Sequence, residues 1–167
     1  LLSKGSEKHC VCQLKKTPQE HFDSICEEVE RAVAAGLTVN LYLEDWSNGM
    51  KNSYKYVYDL MDAVRHLPIK RFMLPDTLGI LNPYDTLAHI QRMIKRYPEL
   101  HFDFHAHNDY DLATSNVYAA VLGGARGVHC TVNGLGERAG NACLSSIVAV
   151  IHDQLKRDTG VDETKIN

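Results

Sequence analysis

Two histidines one residue apart, His105 and His107, close a short apolar alternation within HFDFHAHNDYDLATSN, residues 101–116. In an extended chain the side chains at i and i+2 share a face. Both imidazoles can therefore aim at one point, and imidazole is the commonest biological metal ligand. Asn108, Asp109 and Asp111 follow in the densest patch of oxygen ligands in the chain. A glycine-rich stretch, VNGLGERAGN at 132–141, comes next and ends in Asn141 at an expected helix start. Glycine lets backbone approach a ligand closely. Asn141 reads as an N-cap, as a carbonyl donor at or beside a metal, or as both. A divalent cation gripped here would polarise a carbonyl and stabilise enolate-like charge. Mixed nitrogen and oxygen ligands suit Mn²⁺, Zn²⁺ and Mg²⁺ alike.

Two further strand ends carry chemistry. In LTVNLYL, residues 37–43, Val39, Leu41 and Leu43 share one parity, and Asn40, Tyr42 and Glu44 the other. Tyr42 and Glu44 are assigned to the pocket, the alternative for Glu44-Asp45 being a solvated acidic loop. Asp76-Thr77 follows the run 69–74, so Thr77 either hydrogen-bonds a substrate or belongs to a plain turn. Glu137 and Arg138 read as a surface pair. His9, His21, His66, His89, His101, His129 and His152 lack paired spacing and read as surface or packing residues. The nucleotide-binding patterns GxGxxG and GxxxxGK[ST] and the hydrolase elbow GxSxG do not occur.

The elements that must position these groups follow from periodicity. Thr17-Pro18-Gln19-Glu20 starts a helix with Thr17 as cap, and Phe22, Ile25, Cys26, Val29 and Val33 form its apolar stripe up to Gly36. Asn48-Gly49 is expected to close a loop, and Ser53 to cap a second helix facing inward through Val57, Leu60, Met61, Val64 and Leu67. Asn82-Pro83 opens a third, with Leu87, Ile90, Ile94 and Tyr97 inward, stopped by Pro98. Residues 100–104 read as a strand, 112–122 as a helix ended by Gly123-Gly124, 127–132 as a strand and 142–155 as a last helix. Residues 1–16 read as a loop in which Leu1-Leu2 has the flavour of a strand end, and 156–167 as the start of a following segment.

Strand and helix thus alternate four times, with a spacing of roughly 30 residues, the size of a βαβ unit. The fold class is α/β with a parallel sheet, and the polar residues gather at the carboxyl ends of the strands, where β/α barrels place their sites. Four units are half of a (β/α)8 TIM barrel. Residues 1–167 are expected to be its C-terminal half, strands 5–8 with their helices. A net charge of −3 gives no general attraction to nucleic acid. No apolar run suits a membrane span or a signal peptide. Five cysteines without regular spacing point to reduced thiols in a cytoplasmic protein.

The motifs YLEDWSNG, LPDTLG, FHAHNDYDLATSN and NGLGERAGN resemble those of the metal-dependent enzymes that condense acetyl-CoA with 2-oxo acids on the TIM barrel, and of the related lyases. The family includes 2-isopropylmalate, citramalate and homocitrate synthases and hydroxymethylglutaryl-CoA lyase. YLEDWSNG and HNDYDL look most like the citramalate synthase type. The resemblance implies a Claisen condensation of acetyl-CoA with pyruvate, in isoleucine biosynthesis. The alternatives are 2-isopropylmalate synthase in leucine biosynthesis and a non-catalytic metal-binding fragment. A lyase is disfavoured, because no cysteine stands in the glycine loop at 133–141. By the same resemblance His105 and His107 are metal ligands, and Asn141 stands at or near the metal. Glu44 faces the oxo acid and the acetyl group, Thr77 stands beside the substrates, and Tyr42 narrows the pocket. Ser6 and His9 match an S-x-x-H element. The family's first-strand Arg-Asp pair has no counterpart, so the metal shell is incomplete and this segment alone is expected to be inactive. The full-length form is expected to be a homodimer.

Overall fold

In the computed structural model, which describes residues 1–166, five short segments pair side by side. They are β1 (Leu2–Lys4), β2 (Val39–Glu44), β3 (Ile69–Asp76), β4 (Phe102–Ala106) and β5 (Gly127–His129). All pairings are parallel, and the strand order follows the chain. Between them run α1 (Glu7–His9), α2 (Pro18–Ala34), α3 (Trp46–Asn52), α4 (Tyr54–Val64), α5 (Pro83–Arg96) and α6 (Ala113–Gly123), with α7 (Leu144–Leu155) after β5. Parallel crossovers are almost always right-handed. Strands laid down in one direction therefore keep their helices on a single face, as in a β/α barrel, whereas a doubly wound sheet reverses its order. The architecture is a partial TIM barrel.

The alternation along the strands separates two environments. Val39, Leu41, Leu43, Phe72, Leu74, Phe102 and Phe104 are 0–5% exposed and join the helices in one apolar core. Full burial of such a side chain is worth about 1.5–3 kcal/mol. Asn40, Tyr42, Glu44, Arg71, Met73, Asp103, His105 and His129 take the opposite, helix-free face, which corresponds to a barrel lumen.

Local chemistry sets the helix ends. Thr17 and Glu20 form a reciprocal capping box with Pro18 at the first position of α2. Asn82 accepts from the Asp85 amide at the start of α5, and Gly124 ends α6 at φ +108°. None of the described helices is long and apolar enough to cross a membrane.

Four local expectations change. Residues 1–16 are not a loop. They hold β1, α1 and a π-helical turn over Cys10–Leu14, so the sheet has five strands rather than four. A three-residue strand is too short to show an alternation. Asn48-Gly49 lies inside α3 rather than closing a loop. A Cβ on Gly49 would sit 2.0 Å from the Gly5 carbonyl oxygen, so the glycine serves close approach, not a turn. Ser53 caps nothing with its side chain; its Oγ accepts from the Glu7 amide. The last helix starts at Leu144 after Cys143, which takes away the capping role of Asn141.

Candidate functional site

The carboxyl end of β4 brings the paired imidazoles together. His105 is the penultimate residue of the strand, and His107 follows it, its amide donating to the Asp76 carbonyl on β3 at 3.3 Å. The rings lie 5.0 Å apart at 74°. His107 forms an isolated bridge with Asn141, so the three expected ligands are neighbours. Glycines shape the approach: a Cβ on Gly136 would meet the Asn141 side chain at 2.2 Å, and one on Gly140 would meet the Gly134 oxygen at 2.1 Å. Asn141 Nδ2 donates to the Leu135 carbonyl at 2.9 Å, which fixes the amide and frees Oδ1.

Of the ten buried side-chain nitrogen and oxygen atoms without a hydrogen-bond partner among the described residues, three gather at this strand end: His105 Nδ1, His107 Nδ1 and Asn141 Oδ1. Buried polar groups in proteins are normally paired, so each such exception calls for an explanation. Two imidazole nitrogens and an amide oxygen are a donor set that fits a divalent cation. Burial, and then the neighbouring His107 and His129, push the His105 pKa down to about 4. Burial, and then Arg138, also lower that of His107. Both rings are therefore neutral at pH 7, the state in which imidazole binds metal. Among the described residues no three His, Cys, Asp or Glu side chains converge on one point. The set present would leave coordination positions to be filled by other groups.

The other expected residues surround this centre at graded distances. The Tyr42 ring stands 5.9 Å from that of His105, and burial raises its pKa. Thr77 follows the Asp76–Ala106 pair in the β3–β4 register, level with His107. Its Oγ1 accepts from the Asp45 amide at 2.8 Å, which leaves its own proton free to donate. Glu44 stands on β2, with β3 between it and the histidines, and Lys4 holds its Oε2 at 2.5 Å.

Several residues of the site escaped the sequence reading. Lys4 did so because the strand-end reading of Leu1-Leu2 was not carried on to Lys4. Asp45, 1% exposed and at φ +67°, gathers Ser6 Oγ at 2.6 Å, His9 Nε2 at 3.3 Å and Asn48 Nδ2 at 2.8 Å. Of the two readings offered for His129, surface or packing, the structure gives packing: β5 registers it opposite His105, with ring centroids 5.7 Å apart. The parity of Gly127-Val128-His129 was the available signal. Arg138 does not merely pair with Glu137. It grips Asp109 through Nε and Nη2 at 2.6 and 2.8 Å and donates to the Thr77 carbonyl at 3.0 Å, tying the glycine loop to the loops after β3 and β4. Beside this mouth lies a cavity of about 550 Å³, lined by Ser6, His9, Asp45, Asn48, Asn52 and Leu78 among others.

Comparison with known proteins bears on the family and the fold. The sequence model of the family described as HMGL-like matches residues 1–167. A Methanopyrus kandleri protein bearing the name of an (R)-citramalate synthase is 37% identical over 93% of this chain and 30% of its own length. 2-Isopropylmalate synthase 2 of Caldanaerobacter subterraneus is 35% identical over 96% of this chain and 41% of its own. The chain thus spans well under half the length of these relatives. The crystal structure of the Bacillus subtilis HMG-CoA lyase superposes with a TM-score of 0.84 at 23% identity, covering 99% of this chain and 58% of the lyase; that likeness is one of fold.

Proposed function

The chain belongs to the HMGL-like family, and from that premise we propose that it forms part of the catalytic barrel of an acyltransferase condensing acetyl-CoA with a 2-oxo acid, pyruvate to citramalate being the favoured reaction. The observation that carries this reading is the set of three unpartnered buried donors on His105, His107 and Asn141. A divalent cation held by these residues would supply Lewis-acid polarisation of a keto oxygen.

The chain's own residues do the rest. The neutral imidazoles need lose no proton before they bind a cation. The Thr77 hydroxyl, with its oxygen already accepting from Asp45, donates its proton to a substrate oxygen. We propose Glu44 as the base for the acetyl methyl proton, with Lys4 holding one carboxylate oxygen in place. The cavity beside Asp45 gives room for the carrier of the acyl group. Arg138 keeps the glycine loop over the site.

Tyr42 chooses the substrate in this reading. Its ring against His105 occupies space that a branched oxo acid would need, which favours pyruvate over 2-oxoisovalerate. The relatives at 37% and 35% identity bear the names of different synthases, one of (R)-citramalate and one of 2-isopropylmalate, so overall similarity does not decide. Initial rates of the full-length protein with each oxo acid do. Faster turnover of pyruvate is expected, and preference for 2-oxoisovalerate would replace citramalate by 2-isopropylmalate as the product. A Tyr42→Ala variant should move the preference towards the branched acid. The complete enzyme is proposed to be a homodimer, which sedimentation would test.

A further inference from the structure

Below the paired imidazoles the helix-free face carries a charged cluster that the proposed chemistry leaves unused. Asp103 is 1% exposed. Its carboxylate meets Arg71 Nη1 on β3 at 3.4 Å, His101 Nε2 at 2.8 Å and His129 Nε2 on β5 at 3.5 Å. Gly127, the partner of Asp103 in the β4–β5 register, makes the room: a Cβ there would lie 2.3 Å from Oδ1. A buried carboxylate is costly unless paired. Arg71 alone balances the charge, so the two imidazoles are not needed for neutrality.

The second imidazole has another neighbour. His129 stands opposite His105 in register, the rings 5.7 Å apart at 61°. The other aromatic neighbours of His105 are Tyr42 at 5.9 Å and His107 at 5.0 Å. No hydrogen bond holds His105 Nδ1. The His105 ring is thus seated by edge-on contacts, and of the three flanking rings His129 stands with its Nε2 3.5 Å from the buried Asp103 carboxylate.

We propose that Asp103 is a positioning residue: its buried carboxylate, 3.5 Å from His129 Nε2, backs the ring that forms the wall seating His105, and so presents His105 to a divalent cation. The inference rests on the metal reading given above and deepens it. The test uses the 167-residue chain with ¹⁵N-labelled histidine, read by the long-range ring spectrum at constant pH, and with Zn²⁺ alone as calorimetric probe. Asp103→Asn and His129→Gln are each expected to broaden or split the His105 ring signals and to weaken Zn²⁺ binding by about tenfold or more. His101→Gln, which removes a partner from the other side of the same carboxylate, should leave the His105 signals in place. Equal disturbance by His101→Gln and His129→Gln would reduce Asp103 to packing and overturn the proposal, as would unmoved His105 signals in both Asp103→Asn and His129→Gln. If Asp103→Asn fails to fold, the two histidine variants decide between these outcomes. Unchanged Zn²⁺ affinity in His105→Ala would sink the metal reading itself, and the ring spectra report on seating independently of it.

Discussion

Phe104 and His105 are neighbours on β4 and live in opposite worlds. Phe104 is 0% exposed and packs into the core beneath the helices. His105 faces the helix-free side, with a buried Nδ1 that bonds to nothing and a pKa pushed down to about 4 by burial and nearby imidazoles. Leu41 and Tyr42, and Leu43 and Glu44, repeat the contrast on β2. The same few strands supply stability through one face and hold groups in unsatisfied states on the other. Such states persist because the surrounding structure over-determines them. The polar face can therefore change chemically without the fold changing, and substitutions on the two faces should differ widely in their cost to stability.

Phe104→Ala should cost about 3–5 kcal/mol, the usual penalty for truncating a buried aromatic ring. Urea denaturation followed by far-UV circular dichroism measures it. A loss below about 1 kcal/mol would mean that the helix-side core is loose and that the contrast between the faces is overstated.

Acid attacks the helix side through His21. This ring is 4% exposed. Its Nε2 accepts from the Lys4 amide at 3.4 Å, and Nδ1 lies 2.7 Å from the Tyr56 hydroxyl, which donates to the Lys4 carbonyl at 3.0 Å. That circuit needs a neutral imidazole and anchors β1, from which Lys4 reaches Glu44. Burial, followed by Lys16 and Lys4, lowers the His21 pKa to about 4. The unfolded chain takes up this proton near pH 6.5 and the folded chain only near pH 4. The His21 share of stability is therefore intact above about pH 6.5 and declines as pH falls to about 4, by roughly 3 kcal/mol in all. Comparing urea midpoints at pH 7 and pH 4.5 for the wild type and His21→Phe isolates this share. An equally steep fall in both would place the acid sensitivity elsewhere.

Arg138→Met touches the rim, where both faces end. The side chain is 40% exposed, so its grip on Asp109 should be worth about 1 kcal/mol or less globally. Its local effect is larger. Amide hydrogen exchange of residues 134–140 should accelerate while the core strands stay protected, because the glycine loop loses its tie to Thr77 and Asp109. Unchanged exchange in the loop would show that the glycines hold it without help.

Legibility in the sequence followed the same division. The helix side was readable because burial repeats: the stripe of α2, the caps at Thr17 and Asn82 and the stop at Gly124 all stand where pattern and turn chemistry put them. On the polar face the i, i+2 spacing brought His105, His107 and Tyr42 into view. Lys4 sits on a strand of three residues, too short for alternation to announce which side chains point inward, whereas His129 was set aside for want of a paired spacing although the parity of its strand carried the signal. Gly49 misled because a glycine needed for contact with Gly5 has the same letter as one needed for a turn. Asp103 was passed over, and Asp45 was weighed only as part of a solvated acidic loop, because a buried carboxylate declares itself only through partners distant in sequence, such as Arg71 and Ser6.

His105→Ala should have the smallest effect on stability, and it is the sharpest test. Removing the ring forfeits edge-on contacts with Tyr42, His107 and His129, each worth about 0.5–1.5 kcal/mol where aromatic pairs are well packed. It also removes a buried nitrogen without a partner, relieving a penalty of about 1–3 kcal/mol. The two terms nearly cancel, so the urea midpoint should correspond to a change within about 1 kcal/mol of the wild type, while Zn²⁺ binding is lost. A loss matching that of Phe104→Ala, one residue away on the same strand, would show that the imidazole is packed as core. The polar face would then carry the fold as much as the apolar one does.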